Sequence, residues 1–224
     1  MRLSGRLTLA PALALALVAA GLAQPAGSSE PSPTGLQKVV FQHGVNGYNG
    51  TVDVEVWAVS PNTCLEGNPN ASSDADNDGG ESQILMRFNG IVSTAPGCIP
   101  PRSTIHSATL VVHAFDEGNT VYLHRMLVPW KRTATWASLV AGVTADGLEA
   151  ARKPESFTFG KISASTSEIP FNVTDSVQAW VNGAANHGWV FINTGGNGWD
   201  FYTSEFEDVK QRPKLIVEFT PPRN

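Results

Sequence analysis

The chain has 224 residues, 42% of them hydrophobic and 16% charged, with a formal net charge of −5; that size suits one globular domain with a core of its own. Its 15 Lys and Arg are scattered, with only Lys131-Arg132 and Arg152-Lys153 adjacent. This excludes the concentrated basic surface that nucleic-acid backbones and anionic membranes attract.

Residues 1–23 carry Arg2 and Arg6, an Ala- and Leu-rich apolar run to Leu22, and small residues at Gly21 and Ala23. That is the pattern of a cleaved secretory signal peptide, and Pro11 and the short run argue against a membrane span. Cleavage would leave 13 Lys+Arg against 20 Asp+Glu, a net charge of −7. Residues 24–35, rich in Pro, Ser, Ala and Gly, read as a disordered linker. The folded domain is expected over 36–221.

In the segment TVDVEVWAV, Val52, Val54 and Val56 alternate with Asp53, Glu55 and Trp57, which predicts a strand with a buried valine face and a solvent face. Residues 60–80 lose all periodicity and read as a long loop, tied at Cys64. Strands are expected at Gln83–Phe88, Thr104–Phe115 and Thr120–Leu127, the last two joined as a hairpin through Asp116–Asn119, which would bring His113 near His124. Between Pro129 and Pro154 the pattern weakens, and this stretch is expected to pack on one end of the domain. From Glu168 onward the order is strand, short helix, strand, loop, strand, strand. Val177, Trp180 and Val181 mark the helix by their spacing, with Asn172 or Thr174 as its cap. Many short strands with Gly- and Pro-rich turns predict an all-β fold: a single β-sandwich of jelly-roll type with one short helix.

The two cysteines, Cys64 and Cys98, fall in a chain expected to be exported, where oxidation is the default, so a structural disulfide is expected. No catalytic motif of the nucleophile-elbow, zinc-protease or phosphate-loop kind is present. The five histidines are dispersed, and Asp53 with Glu55 matches a sugar-cleaving carboxylate pair only loosely. Asp74, Asp76 and Asp78 place oxygen ligands at alternate positions before Gly79, a spacing suited to calcium. Leu85 stands where an EF-hand would supply its final Glu, so the first reading is a solvated acidic loop, with a structural calcium loop completed by carbonyls and Glu81 as the alternative; no cofactor is required. Among the six tryptophans, Trp180, Trp189, Trp130 and Trp136 read as core. Trp57, beside Asp53 and Glu55, and Trp199, beside Asp200 after a Gly-rich loop, are the candidates for stacking on sugar rings. Lys131 and Arg132 offer a contact for an anionic polysaccharide.

Several residue patterns recur together: Arg87-Phe88 ending a strand, Pro100-Pro101, Ser107–Leu110, Trp130 with Trp136, Asn172–Trp180, and Ser204-Glu205 with Arg212–Phe219. With these the chain resembles the DNRLRE-type extracellular domain, also called carbohydrate-binding module family ninety-six and related to disaggregatase, from Val39 to Thr220. Arg132 stands where that pattern favours an acid, and Asn172 where it favours Asp. The resemblance implies a secreted or cell-surface, non-catalytic module that recognises polysaccharide, acidic glycans among them. The alternative is a structural or adhesive surface protein with protein partners. No nucleic-acid partner and no membrane span are expected.

Overall fold

A computed structural model describes residues 35–162 and 165–223. The expected signal peptide and residues 24–34 of the expected linker lie outside the described residues. Eleven strands and one α-helix follow in order: β1 (Gln37–Gln42), β2 (Thr51–Trp57), β3 (Asn70–Asn77), β4 (Gly80–Phe88), β5 (Thr104–Asp116), β6 (Val121–Arg125), β7 (Ser156–Thr158), β8 (Ser167–Asn172), α1 (Thr174–Val181), β9 (Trp189–Asn193), β10 (Trp199–Tyr202) and β11 (Lys214–Thr220). Among the described residues no helix is long and apolar enough to cross a membrane.

All strand pairings are antiparallel. One sheet runs β1-β11-β5-β8 and the other β4-β9-β6-β7, with β2 on the outer edge of β4. These two four-strand orders are those of a jelly roll, so the expected all-β sandwich is the fold observed. The inner faces are built by alternation. Leu110, Val112 and Ala114 of β5, Leu215, Val217 and Phe219 of β11, Ile84, Met86 and Phe88 of β4, and Trp189 and Phe191 of β9 enclose one core. Phe191 sits at its middle, its ring centroid 5.4 Å from Phe171 and 5.3 Å from Phe201. Side chains of this size each contribute about 1.5–3 kcal/mol when fully buried.

Helix α1 covers one end of that core with Val177, Trp180 and Val181. Asn172 Oδ1 accepts from the Thr174 N–H at 3.0 Å, while Thr174 Oγ1 accepts from the Ala108 N–H. The N-cap position itself is Val173, with no side-chain cap hydrogen bond; Asn172, one residue before it, serves the first helical N–H, and Thr174, inside the helix, serves the sheet. Glu155 Oε2 accepts from Ser176 Oγ and from Trp189 Nε1, both at 2.7 Å, which ties the helix to β9. Burial pushes this carboxyl above its usual range, against those two hydrogen bonds.

Four expectations need correction. The stretch expected as a long loop contains β3, whose buried residues are only Ala71 and Ser73; with no large apolar residue to alternate, its period is silent. The β3–β4 turn is Asp78-Gly79, both at positive φ (53° and 89°), a two-residue hairpin. The hairpin expected between β5 and β6 does not form. β5 lies in one sheet between β8 and the β11/β10 edge, and β6 lies in the other between β7 and β9, so the Asp116–Asn119 connection crosses the sandwich and His113 and His124 are on different sheets.

The Pro129–Pro154 stretch covers the outer face of the second sheet rather than one end. There Trp130, Ala134, Val143 and Ala150 pack on Val54, Val56, Leu85 and Val190. Gln83 clamps it through both main-chain atoms of Val143, and the Arg87 guanidinium lies 4.4 Å from the Trp130 ring centroid.

The cysteines are not bonded to each other. Cys64 lies exposed in the β2–β3 loop, which is anchored by Ala137 N–H on the Pro61 carbonyl and by Arg132 on Glu66. Cys98 sits in the β4–β5 loop against the Gly90 carbonyl. The expected disulfide is thus absent, the two thiols lying in loops held by different elements.

Candidate functional site

β3 belongs to both sheets. Its first half, Asn70–Ser73, pairs with Tyr202–Trp199 of β10, and its second half pairs with β4 at Asp74↔Ser82 and Asn77↔Gly80. The change of sheet at Ser73–Asp74 closes one side of the sandwich and leaves a groove of about 380 Å³. Glu55 of β2, Asn70, Ser72, Asp74 and Asn77 of β3, Phe115 and Asp116 at the end of β5, Asn197 and Gly198, and Asp200 of β10 line it.

The valines of β2 face the outer layer under Trp130, so Asp53 and Glu55 point toward the space between the sheets instead of into solvent. Because β2 is an edge strand, this places Glu55 at the seam rather than in the core. Glu55 Oε2 accepts from the Ser72 N–H at 3.0 Å. Burial pushes the Glu55 carboxyl up to about 7, with the Ser72 N–H opposing and Asp200 adding to the rise. Asp200 is raised as well, chiefly by burial, with the Ser72 hydroxyl opposing and Asp116 and Asp74 adding. No Lys, Arg or His lines the groove to offset these charges.

The walls are fixed by loop-to-loop contacts. Asn197 accepts no part of a strand ladder; its N–H donates to Asn119 Oδ1 and its Nδ2 to the Glu117 carbonyl. Gly118 lies so close to the Asn197 and Gly198 carbonyls that any Cβ there would collide with them. The Phe115 ring stacks on Tyr202 at 4.7 Å, and Tyr202 on Phe206 at 3.8 Å, a column of three rings on the outer face of the first sheet that ends at the groove. The site thus combines one aromatic face with carboxylate and amide oxygens, suited to accept hydrogen bonds from hydroxyl or amine donors.

The sequence candidates separate on this geometry. Glu55, Asp200 and Asp74 line the groove together. Asp53 does not: it is 6% exposed and accepts from the Ser204 N–H at 3.0 Å, burial holding its carboxyl up at about 6. Trp199 is 1% exposed, and its indole N–H donates to the Asn119 carbonyl, so it supports the wall from behind. Trp57 is half-buried, and its N–H goes to the Asn77 carbonyl beside the groove.

Asp76 gives its N–H to Asp74 Oδ1, and Asp78 occupies the hairpin turn. Asp74, Asp76 and Asp78 are thus spread over strand and turn, and among the described residues no three His, Cys, Asp or Glu side chains converge to hold a metal ion. Arg132 is engaged by Glu66 and Glu205.

Phe115, Asp116, Asn70 and Asn197 were not among the sequence candidates. Phe115 had a legible signal, since it falls on the opposite parity to Leu110, Val112 and Ala114. Asn70 and Asn197 had none. No family model matches the chain, and no curated protein matches it.

Proposed function

We propose that this chain is a secreted, non-catalytic carbohydrate-binding module acting outside the cell or at its surface, as the DNRLRE-type resemblance implies. The observation that supports it best is the groove at the β3 crossing, where the Phe115 ring stands beside Asn70, Asn77, Asn197 and the carboxylates. Sugar rings present an apolar C–H face to an aromatic ring and hydroxyls to the polar groups around it, and the groove offers both. Affinity electrophoresis through gels containing a panel of polysaccharides tests it. The wild-type chain is expected to be retarded by at least one glycan and Phe115→Ala to migrate freely; a wild-type chain retarded by none sinks the reading.

One observation favours the alternative of an adhesive or structural protein. At the β7 edge Phe157 and Phe159 are 54% and 68% exposed and stand in a row with Tyr122. Sedimentation of the wild type against a Phe157→Lys, Phe159→Lys double variant tests it, since an adhesive edge loses self-association in the variant.

A further inference from the structure

We propose that β1 is a docking edge for an extended segment of another protein, one that joins the first sheet as a further strand and sets an acidic residue opposite Lys38. Among the described residues four strands have a single ladder partner: β1, β2, β7 and β8. An open edge presents unpaired N–H and C=O groups, and proteins blunt such edges with proline, inward-pointing charges or short length. Three of the four are blunted in these ways. β8 carries Pro170 near its middle, β7 is three residues long, and β2 turns Asp53 and Glu55 inward. β1 has none of these devices: it runs six residues in unbroken register with β11, without Pro or bulge. Its one charge, Lys38, leans back on Glu218 at 3.2 Å, and Val40 is 41% exposed.

A second groove, of about 510 Å³, lies along this edge, lined by Lys38, Val39, Val40 and Phe41 of β1 with Tyr48 and Pro96. It shares no lining residue with the groove at the β3 crossing. One wall is fixed in place: Asn46 and Gly47 turn at positive φ (50° and 78°), the Tyr48 hydroxyl donates to the Asn89 carbonyl, and its ring lies 5.2 Å from that of Phe41. A row of main-chain donors and acceptors is matched in full by another extended backbone, and an adjoining apolar groove takes alternate side chains of that strand. Charge narrows the choice of strand. Lys38 is the only charged residue lining this groove, in a chain of net charge −5. On its paired side β1 meets Glu218 opposite Lys38, Ile216 opposite Val40 and Val217 opposite Val39; opposite-charge and apolar pairs of this kind stabilise a ladder. A second copy offers less, because β1 contains no acid to set against Lys38.

The probe is a synthetic peptide of the β11 sequence, Lys214–Thr220, added to the full chain and followed by amide resonances. Shifts confined to residues 37–42, 45–48 and 96–98 are expected. Peptides N-methylated at alternate residues should bind in one parity and not in the other, because a strand pairs with its neighbour through one edge. Lys38 is exposed, so Lys38→Glu keeps the fold; it should weaken the peptide about fivefold, and the peptide carrying Glu218→Lys should recover that loss. No shifts, shifts elsewhere, or equal binding of both N-methylated peptides overturns the proposal, and unchanged affinity in Lys38→Glu overturns the acidic partner. A free protein that sediments as a dimer dispersed by Val40→Lys assigns the edge to a second copy instead. Contacts from residues 24–34 to β1 in the free protein assign it to the chain itself, and either result also overturns the proposal.

Discussion

Ser72 touches carboxylates from both sheets: its backbone N–H donates to Glu55 Oε2 of β2 at 3.0 Å, and it is the register partner of Asp200 on β10, whose carboxyl its hydroxyl also contacts. The seam therefore brings two acids close together away from water, with a single residue between them.

Stability should register this. Glu55 is raised from 4.5 to about 7 and Asp53 from 3.8 to about 6, both chiefly by burial. A carboxyl whose folded pKa is raised favours the fold below its unfolded value, and that favour is lost as pH rises through the folded one. Unfolding free energy should thus fall between about pH 4.5 and about pH 7, by up to about 3 kcal/mol for Glu55. Urea midpoints of wild type and Glu55→Gln across that window check it: the variant should lose the Glu55 share of the slope, most clearly between about pH 6 and about pH 7 where Asp53 has already titrated, and parallel curves would contradict the burial argument.

The outer layer depends on Trp130, which packs on Val54, Val56, Leu85 and Val190, covers Arg87 and donates to the His187 carbonyl at 2.7 Å. Trp130→Ala is expected to cost about 3–5 kcal/mol, measured by chemical denaturation. A cost within about 0.5 kcal/mol, as for an ordinary surface site, would mean that the 129–154 stretch does not hold to the sheet.

The groove wall has its own weak points. Trp199→Phe keeps most of the buried ring but removes the N–H to the Asn119 carbonyl, a net loss of about 0.5–1.5 kcal/mol. Gly118→Ala drives a methyl group into the Asn197 and Gly198 carbonyls. Both should lower the thermal midpoint and increase hydrogen exchange at residues 194–198, whereas Trp57→Ala should leave exchange there unaltered.

The thiols give a simple readout. With Cys64 and Cys98 unbonded, a reductant should leave the thermal midpoint unmoved, and exposed Cys64→Ser should change stability by less than about 0.5 kcal/mol. A midpoint that drops on reduction would show that the chain forms the staple after all.

Much of the architecture was legible because large apolar residues mark it. β5 and β11 largely alternate, β4 and β9 are apolar runs buried on both faces, and α1 shows Val177, Trp180 and Val181 at helical spacing. β3 was hidden because Ala71 and Ser73 are its only buried residues, although Asp78-Gly79 is a hairpin signal. The partner of β6 could not be read at all, since a short polar connection serves a hairpin and a crossing between sheets equally well.

The site divided along the same line. Glu55 and Asp200 stand out in the sequence only as neighbours of Trp57 and Trp199, and Asp74 only as one of three alternate carboxylates, yet the fold gathers all three into the groove. Trp57 and Trp199 were picked out as aromatics near loops, but alternation alone does not reveal that a second layer turns the valine face of β2 away from the core or that Asn119 claims the Trp199 indole. Which loops meet, as Asn197 meets Asn119 and Glu117, depends on contacts about 80 residues apart in the chain.

Because β3 spends half its length in each sheet, a pull applied to one sheet reaches the other along covalent backbone through Ser73 and Asp74, not through side-chain packing alone. Where two sheets meet only through interdigitated side chains, sliding one over the other breaks no main-chain hydrogen bond. Here slippage would have to break the ladder with β10 or the ladder with β4, and the groove lies where that resistance is set.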